Sequence, residues 1–141
     1  MPDWNNKKYL PLKKITEIYV NCFNNRDFEL LKKHLSNSVI LERGLTAEGK
    51  DKAVTQLENL FNRKDLENIK FELIDATAGF FNKKESQLIL YLEIMQDGVK
   101  KETFIESLLL IKEDKNWKID RIFGITYEPD AHKKYFKPFL R

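Results

Sequence analysis

The chain has one cysteine, two histidines and no long apolar run among its 141 residues, and each scarcity removes a class of protein. A lone Cys22 allows no internal disulfide and none of the cysteine-rich metal spacings. It falls on an apolar helical face and reads as a small core residue. His34 and His132 are far apart in sequence and no tight acidic cluster accompanies them, so no metal site is expected. No stretch approaches the roughly 20 apolar residues of a membrane helix. The opening MPDWNNKKYL lacks the apolar run of a secretory signal. A cytoplasmic protein without a membrane contact is therefore expected. A glycine-rich phosphate loop, a Gly-x-Ser-x-Gly elbow and a dinucleotide fingerprint are also missing, and no cofactor is expected.

Charge of one sign is scarce too. Lysine and arginine number 25 against 22 acidic residues, a net charge of +3. The lysines come mostly as doublets, among them Lys7-Lys8, Lys32-Lys33, Lys83-Lys84 and Lys133-Lys134, with carboxylates interleaved. Such doublets read as solvated edges, and no nucleic-acid partner is expected. No internal repeat or interdomain linker breaks the chain, so residues 1–141 read as a single domain with a core at about 11–126.

Apolar residues make up 42% and aromatics 12%, with ten Phe and five Tyr, enough to fill a sizeable core. The organising stretch runs from Tyr19 to Arg43. Pro11 suits a first helical turn, where its missing N–H costs nothing. Leu12, Ile15, Ile18, Tyr19, Cys22 and Phe23 then follow at helical spacing. Asn24-Asn25 ends this helix, and Asp27 is placed to cap a short second one with Leu30, Leu31, His34 and Leu35 inward. Residues 38–42 read as a strand, and a loop through Gly44 and Gly49 leads to a helix at 50–63. The period then changes from 3.6 to 2, predicting strands at 68–78, 86–96, 102–112 and 116–126. The Asp97-Gly98 pair between two of them is a hairpin signal. Helices on one face of a strand meander make an α+β fold.

Leu88–Met95 (LILYLEIM) and Leu108–Ile111 are apolar on both alternating faces. A sheet with one wet face would alternate apolar and polar residues. A second subunit is the expected cover, with Glu93 and Glu106 at its rim. The tail 127–141 carries Tyr135, Phe136, Phe139 and Leu140 and is expected to dock on the sheet or on a partner.

Asn25-Arg26-Asp27-Phe28 before Leu30-Leu31, the strand SVILE, Glu48-Gly49-Lys50-Asp51 and Asn116-Trp117-Lys118-Ile119-Asp120 stand in an order that resembles the nuclear transport factor 2-like superfamily. Ketosteroid isomerases and SnoaL-type polyketide cyclases belong to it. The resemblance implies a cystatin-like α+β roll, in which three N-terminal helices pack on a curved antiparallel sheet. It also implies an apolar, cone-shaped cavity and homodimers through the sheet. In the isomerases a helical tyrosine and a protonated late-strand aspartate are the oxyanion donors and a first-strand aspartate is the base. Those positions correspond here to Tyr19, to Ser107 or Leu109, and to Arg43. An arginine stays protonated at neutral pH and cannot abstract a proton from carbon, which removes the isomerase reading.

The expected ligand contacts are Tyr19, Arg43 and Arg121 as polar groups, with Phe23, Leu57, Phe61 and Phe123 as the lining. Arg121 shares a strand face with Trp117, Ile119 and Phe123 if the alternation is regular; its structural partner would be Glu93 or Glu106. No catalytic residue is assigned. The leading expectation is a dimer that binds a small apolar or anionic molecule, with isomerase, cyclase or dehydratase chemistry implied by the family. The other is a non-catalytic interaction module whose cone is filled by its own side chains.

Overall fold

The structure is a computed structural model describing residues 4–43 and 45–125, with the side chains of Arg43, Leu45, Asp65 and Ile125 outside that description. The expected docking tail and His132 also lie outside the described residues. Two helices, α1 (Leu10–Asn25) and α2 (Phe28–Lys32), precede the strands β1 (Leu35–Arg43) and β2 (Leu45–Glu48). Helix α3 (Lys50–Phe61) and a 3-10 turn (Lys64–Leu66) follow. The meander comprises β3 (Ile69–Phe80), β4 (Glu85–Gln96), β5 (Val99–Glu113) and β6 (Asn116–Ile125). The order in the six-stranded sheet is β2-β1-β6-β5-β4-β3.

All pairs are antiparallel except β1 with β6, so the expected antiparallel sheet carries one parallel pair. Two further differences are local. The stretch before Gly49, read as loop, holds the short edge strand β2, whose four residues give too little alternation to read. Strand β1 begins at Leu35, three residues early, because Leu35 pairs with Ile119 instead of prolonging the helix. Phe28 takes the core position assigned to Leu30, which is 37% exposed.

Local chemistry accounts for the breaks. Asp27 accepts a hydrogen bond from the Leu30 N–H at 3.1 Å, the expected N-cap. Asp97 and Gly98 both have positive φ, which is how a two-residue hairpin follows the strand twist. Four strand pairings contain register shifts, in which extra residues bend the sheet over α1. The extra residue on β3 is Ile74, and on β6 it is Asp120. Asp120 turns to β1, accepting bonds from the hydroxyls of Ser36 (2.7 Å) and Ser38 (3.0 Å).

The end of α1 is pinned to the edge of β3. The Asn24 amide pairs with both backbone groups of Phe71: Nδ2 donates to its carbonyl at 3.0 Å, and Oδ1 accepts its N–H at 2.7 Å. Arg26 stands in the left-handed region at φ 56°. Its guanidinium donates to the carbonyls of Phe23, Leu66 and Ile69 and lies over the Phe61 ring, 4.8 Å from the centroid. Ahead of α1, two aromatic side chains are packed: Tyr9 meets Phe80 at 5.2 Å and Trp4 meets Tyr9 at 6.3 Å between centroids.

Arg26→Ala is expected to cost at least about 2 kcal/mol in urea unfolding, because three carbonyls lose a charged donor. Arg26→Gly should lose roughly 1 kcal/mol less, since glycine adopts the left-handed backbone without strain. Equal losses in the two variants would show that backbone strain contributes nothing there.

Candidate functional site

Within the cup, Tyr19 projects from α1 toward the inner face of β5. Its hydroxyl donates a hydrogen bond to Glu106 Oε1. Glu106 is 0% exposed and Tyr19 2% exposed. Across the strands Glu106 lies opposite Leu90 of β4 and Gly124 of β6. Val20, Phe23, Phe71, Leu92 and Phe104 complete the walls around the pair. A carboxyl in such surroundings is costly unless hydrogen-bonded, and the phenol supplies one such bond. A phenol and a carboxyl in contact can also share or transfer a proton. This buried acid was expected at the rim of an interface; the inward parity of β5 at position 106 places it in the interior instead.

Among the described residues, the space beside this pair is small. The hollow bounded by Tyr19, Phe23, Phe71, Phe104 and Glu106 has a volume of about 10 Å³. That is at the lower limit for a single water. Phe rings occupy the rest: Phe23 meets Phe28, Phe61 and Phe71 at 5.3 to 5.5 Å, and Phe71 meets Phe104 at 5.6 Å between centroids. These edge-on contacts are favourable beyond the area they bury. Val20 and Phe104 are only half-buried, so the pair is closed off by side chains at the surface.

Tyr19 and Phe23 thus stand together at the hollow. Phe61 packs behind Phe23, and Leu57 is buried in α3 without reaching the hollow. The side chain of Arg43 lies outside the described residues; its backbone ends β1, paired with Leu45. Arg121 and Phe123 are elsewhere. The extra residue Asp120 reverses the alternation, so Trp117, Ile119 and Ile122 face the core while Arg121 and Phe123 face outward. Arg121 Nη2 meets the two Glu42 carboxylate oxygens at 2.8 and 2.9 Å, not Glu93 or Glu106, and its guanidinium lies 5.3 Å from the Phe123 ring. Glu93 pairs with Lys100 at 3.1 Å. Glu106, Phe71 and Phe104 are the site residues that sequence reasoning missed. The one available signal was a lone Glu interrupting the apolar face of β5.

Two further titratable groups, Cys22 and His34, are shifted by their surroundings. Burial first, and then Asp27, push the Cys22 thiol up to about 11, so it stays protonated at neutral pH. His34 has its pKa lowered by burial and then by Lys118, Lys14 and Lys33, which favours neutral imidazole. Among the described residues no group of three or more metal-ligating side chains converges.

No family profile matches the chain, and no curated protein matches it in sequence. Solved structures do resemble it in shape. An uncharacterised protein with a cystatin-like fold from Caulobacter vibrioides superposes with a TM-score of 0.74 at 15% identity, over 91% of this chain and 95% of that one. An NTF2-like protein of unknown function from Pseudomonas putida gives 0.72 at 10% identity, over 85% and 87%. Aln2 from a Streptomyces species gives 0.75 at 10% identity, over 89% and 93%. The class is therefore set by shape: the chain has the cystatin-like α+β fold of nuclear transport factor 2-like proteins.

Tyr19→Phe removes a donor from a fully buried carboxyl, and a loss of about 1–3 kcal/mol in chemical unfolding is expected. The His34 pKa is depressed by folding, so its contribution is complete above the ordinary imidazole value of about 6.5 and is lost as pH falls through the folded value. Stability measured from pH 7.5 down to 5 should therefore decline, and His34→Gln should flatten that decline. An unchanged slope in the variant would assign it to other groups.

Proposed function

We propose that the protein binds a small, largely apolar molecule carrying one hydrogen-bonding group, which engages Tyr19 and Glu106 at the bottom of the cup. The carrying observation is the fully buried Glu106–Tyr19 pair among phenylalanines. Folding alone gives no reason for it, since an apolar residue of similar volume would cost less to bury. Ionisable groups held in apolar clefts are characteristic of working sites. In this reading Phe104 and Val20, half-buried at the surface, move aside to admit the ligand. The pair can donate a hydrogen bond to a carbonyl or exchange a proton with it, the minimum that isomerase, cyclase or dehydratase chemistry requires. Tyr19 and Phe23 are the proposed contacts from the helix, with Phe61 behind them. Arg43 at the end of β1 is proposed as a contact for an anionic group, while Arg121, Phe123 and Leu57 have no part in this site.

The outward residues Ile40, Ile89, Tyr91, Leu109 and Phe123 form a half-buried apolar strip across β1, β4, β5 and β6. A second copy packed on that strip is the proposed quaternary structure. The closed interior favours a second reading, a non-catalytic interaction module, because about 10 Å³ admits no organic ligand without movement.

Native mass spectrometry of freshly purified wild type and Glu106→Gln separates the two. A species at twice 16.8 kDa with a small-molecule mass present in wild type and lost in the variant is the expected result. A dimer that stays empty in both, and in wild type incubated with ketone and phenol fragments, would support the interaction module.

A further inference from the structure

At the other end of α1, away from the Tyr19–Glu106 hollow, a groove of about 570 Å³ is lined by Lys7, Lys8, Pro11, Phe80, Asn82, Lys83, Lys112 and Trp117. It shares no residue with that hollow. Three separate parts of the chain build it: the turn before α1, the β3–β4 turn, and the β5–β6 hairpin. An aromatic ladder forms its floor, with Tyr9 on Phe80 at 5.2 Å and Phe80 on Trp117 at 5.9 Å between centroids. Two of the ammonium groups are held over that floor. Lys8 Nζ lies 4.6 Å from the Phe80 centroid and Lys112 Nζ 5.6 Å from that of Trp117.

Four cations therefore line one groove, and no carboxylate is among the lining residues. Among the described residues, none of the four is in an ion pair. The nearby Glu85 carboxylate accepts a hydrogen bond from Asn82 Nδ2 at 3.0 Å. Like charges gathered without counter-charges repel, and an anion relieves that repulsion. Placing Lys8 and Lys112 over rings restricts them before any ligand arrives, which lowers the ordering cost of binding. Lysines act as point charges, suited to the several oxygens of a phosphate more than to the planar match that arginine makes with a carboxylate. The volume falls in the range of small-ligand sites.

We propose that this groove is a binding site for a small, multiply phosphorylated ligand. Both tryptophans of the chain, Trp4 and Trp117, belong to the aromatic cluster under the groove, so their emission reports on occupancy. The experiment titrates the full chain with inorganic tripolyphosphate at low salt, following tryptophan fluorescence, for wild type and two double variants. Lys8→Ala/Lys83→Ala removes two groove cations. Lys52→Ala/Lys101→Ala removes two exposed cations from α3 and from the far end of β5, with the same change in net charge.

The expected result is saturation below about 1 mM, a weakening of at least about tenfold in the groove variant, and a change under about twofold in the control pair. Equal weakening in both pairs would reduce the effect to net charge and overturn the site. So would an absence of saturation in wild type, or tighter binding of an oligoglutamate peptide than of tripolyphosphate.

Discussion

The interior of this protein depends on how the end of α1 is fastened to the edge of β3. Asn24 imitates a neighbouring strand, meeting both the N–H and the carbonyl of Phe71. The Arg26 guanidinium then donates to the carbonyls of Phe23, Leu66 and Ile69, tying the left-handed turn to the 3-10 turn and the start of β3. Backbone groups buried without hydrogen bonds are costly, so these two side chains decide where α1 ends and at what angle it enters the cup. Phe23, one residue before the fastening, and Tyr19, one turn earlier, take their places in the core as a consequence. The same bonds occupy the first part of a long edge strand that could otherwise pair with another chain.

Inside that frame two physical demands oppose each other. Close packing of five phenylalanines favours a sealed, apolar core. A fully buried glutamate at the same place favours solvent, a cation or strong hydrogen bonds. The structure meets both by setting the phenol of Tyr19 against the carboxyl and leaving almost no free volume beside it. Under the ligand binding proposed above, opening the cup would exchange ring–ring contacts for ligand contacts, with the half-buried Phe104 and Val20 moving aside. The groove at the other end has the opposite character: open and cationic, on an aromatic floor.

The fold was legible wherever the signal was long. Four strands of ten residues or more lie within three residues of their expected bounds, and α1 shows its apolar stripe over four turns. Asp27 and Asp97-Gly98 carried the capping and hairpin chemistry in single residues. The short strand β2 gave no such signal, and the parallel pairing of β1 with β6 joins segments far apart in sequence. The site was legible in part. Tyr19 and Phe23 follow from the stripe on α1, but the acid that meets Tyr19 is 87 residues away. Counting along the strand placed the matching position at Ser107 or Leu109, one and three residues past the acid and on the outward parity.

The sequence by itself determined the helix stripes, the turn positions and the class of fold, because these rest on contacts within a few residues. Tertiary structure alone decided which way each strand residue points past an extra residue. At Asp120 a single unpaired position, held by Ser36 and Ser38, sent Arg121 and Phe123 outward. It also decided that Lys7, Lys8, Lys83 and Lys112, from three distant parts of the chain, share one groove, though the doublets Lys7-Lys8 and Lys83-Lys84 read in sequence as solvated edges. Parity and convergence are properties of strand pairing, which is settled by the whole sheet and not by any one segment.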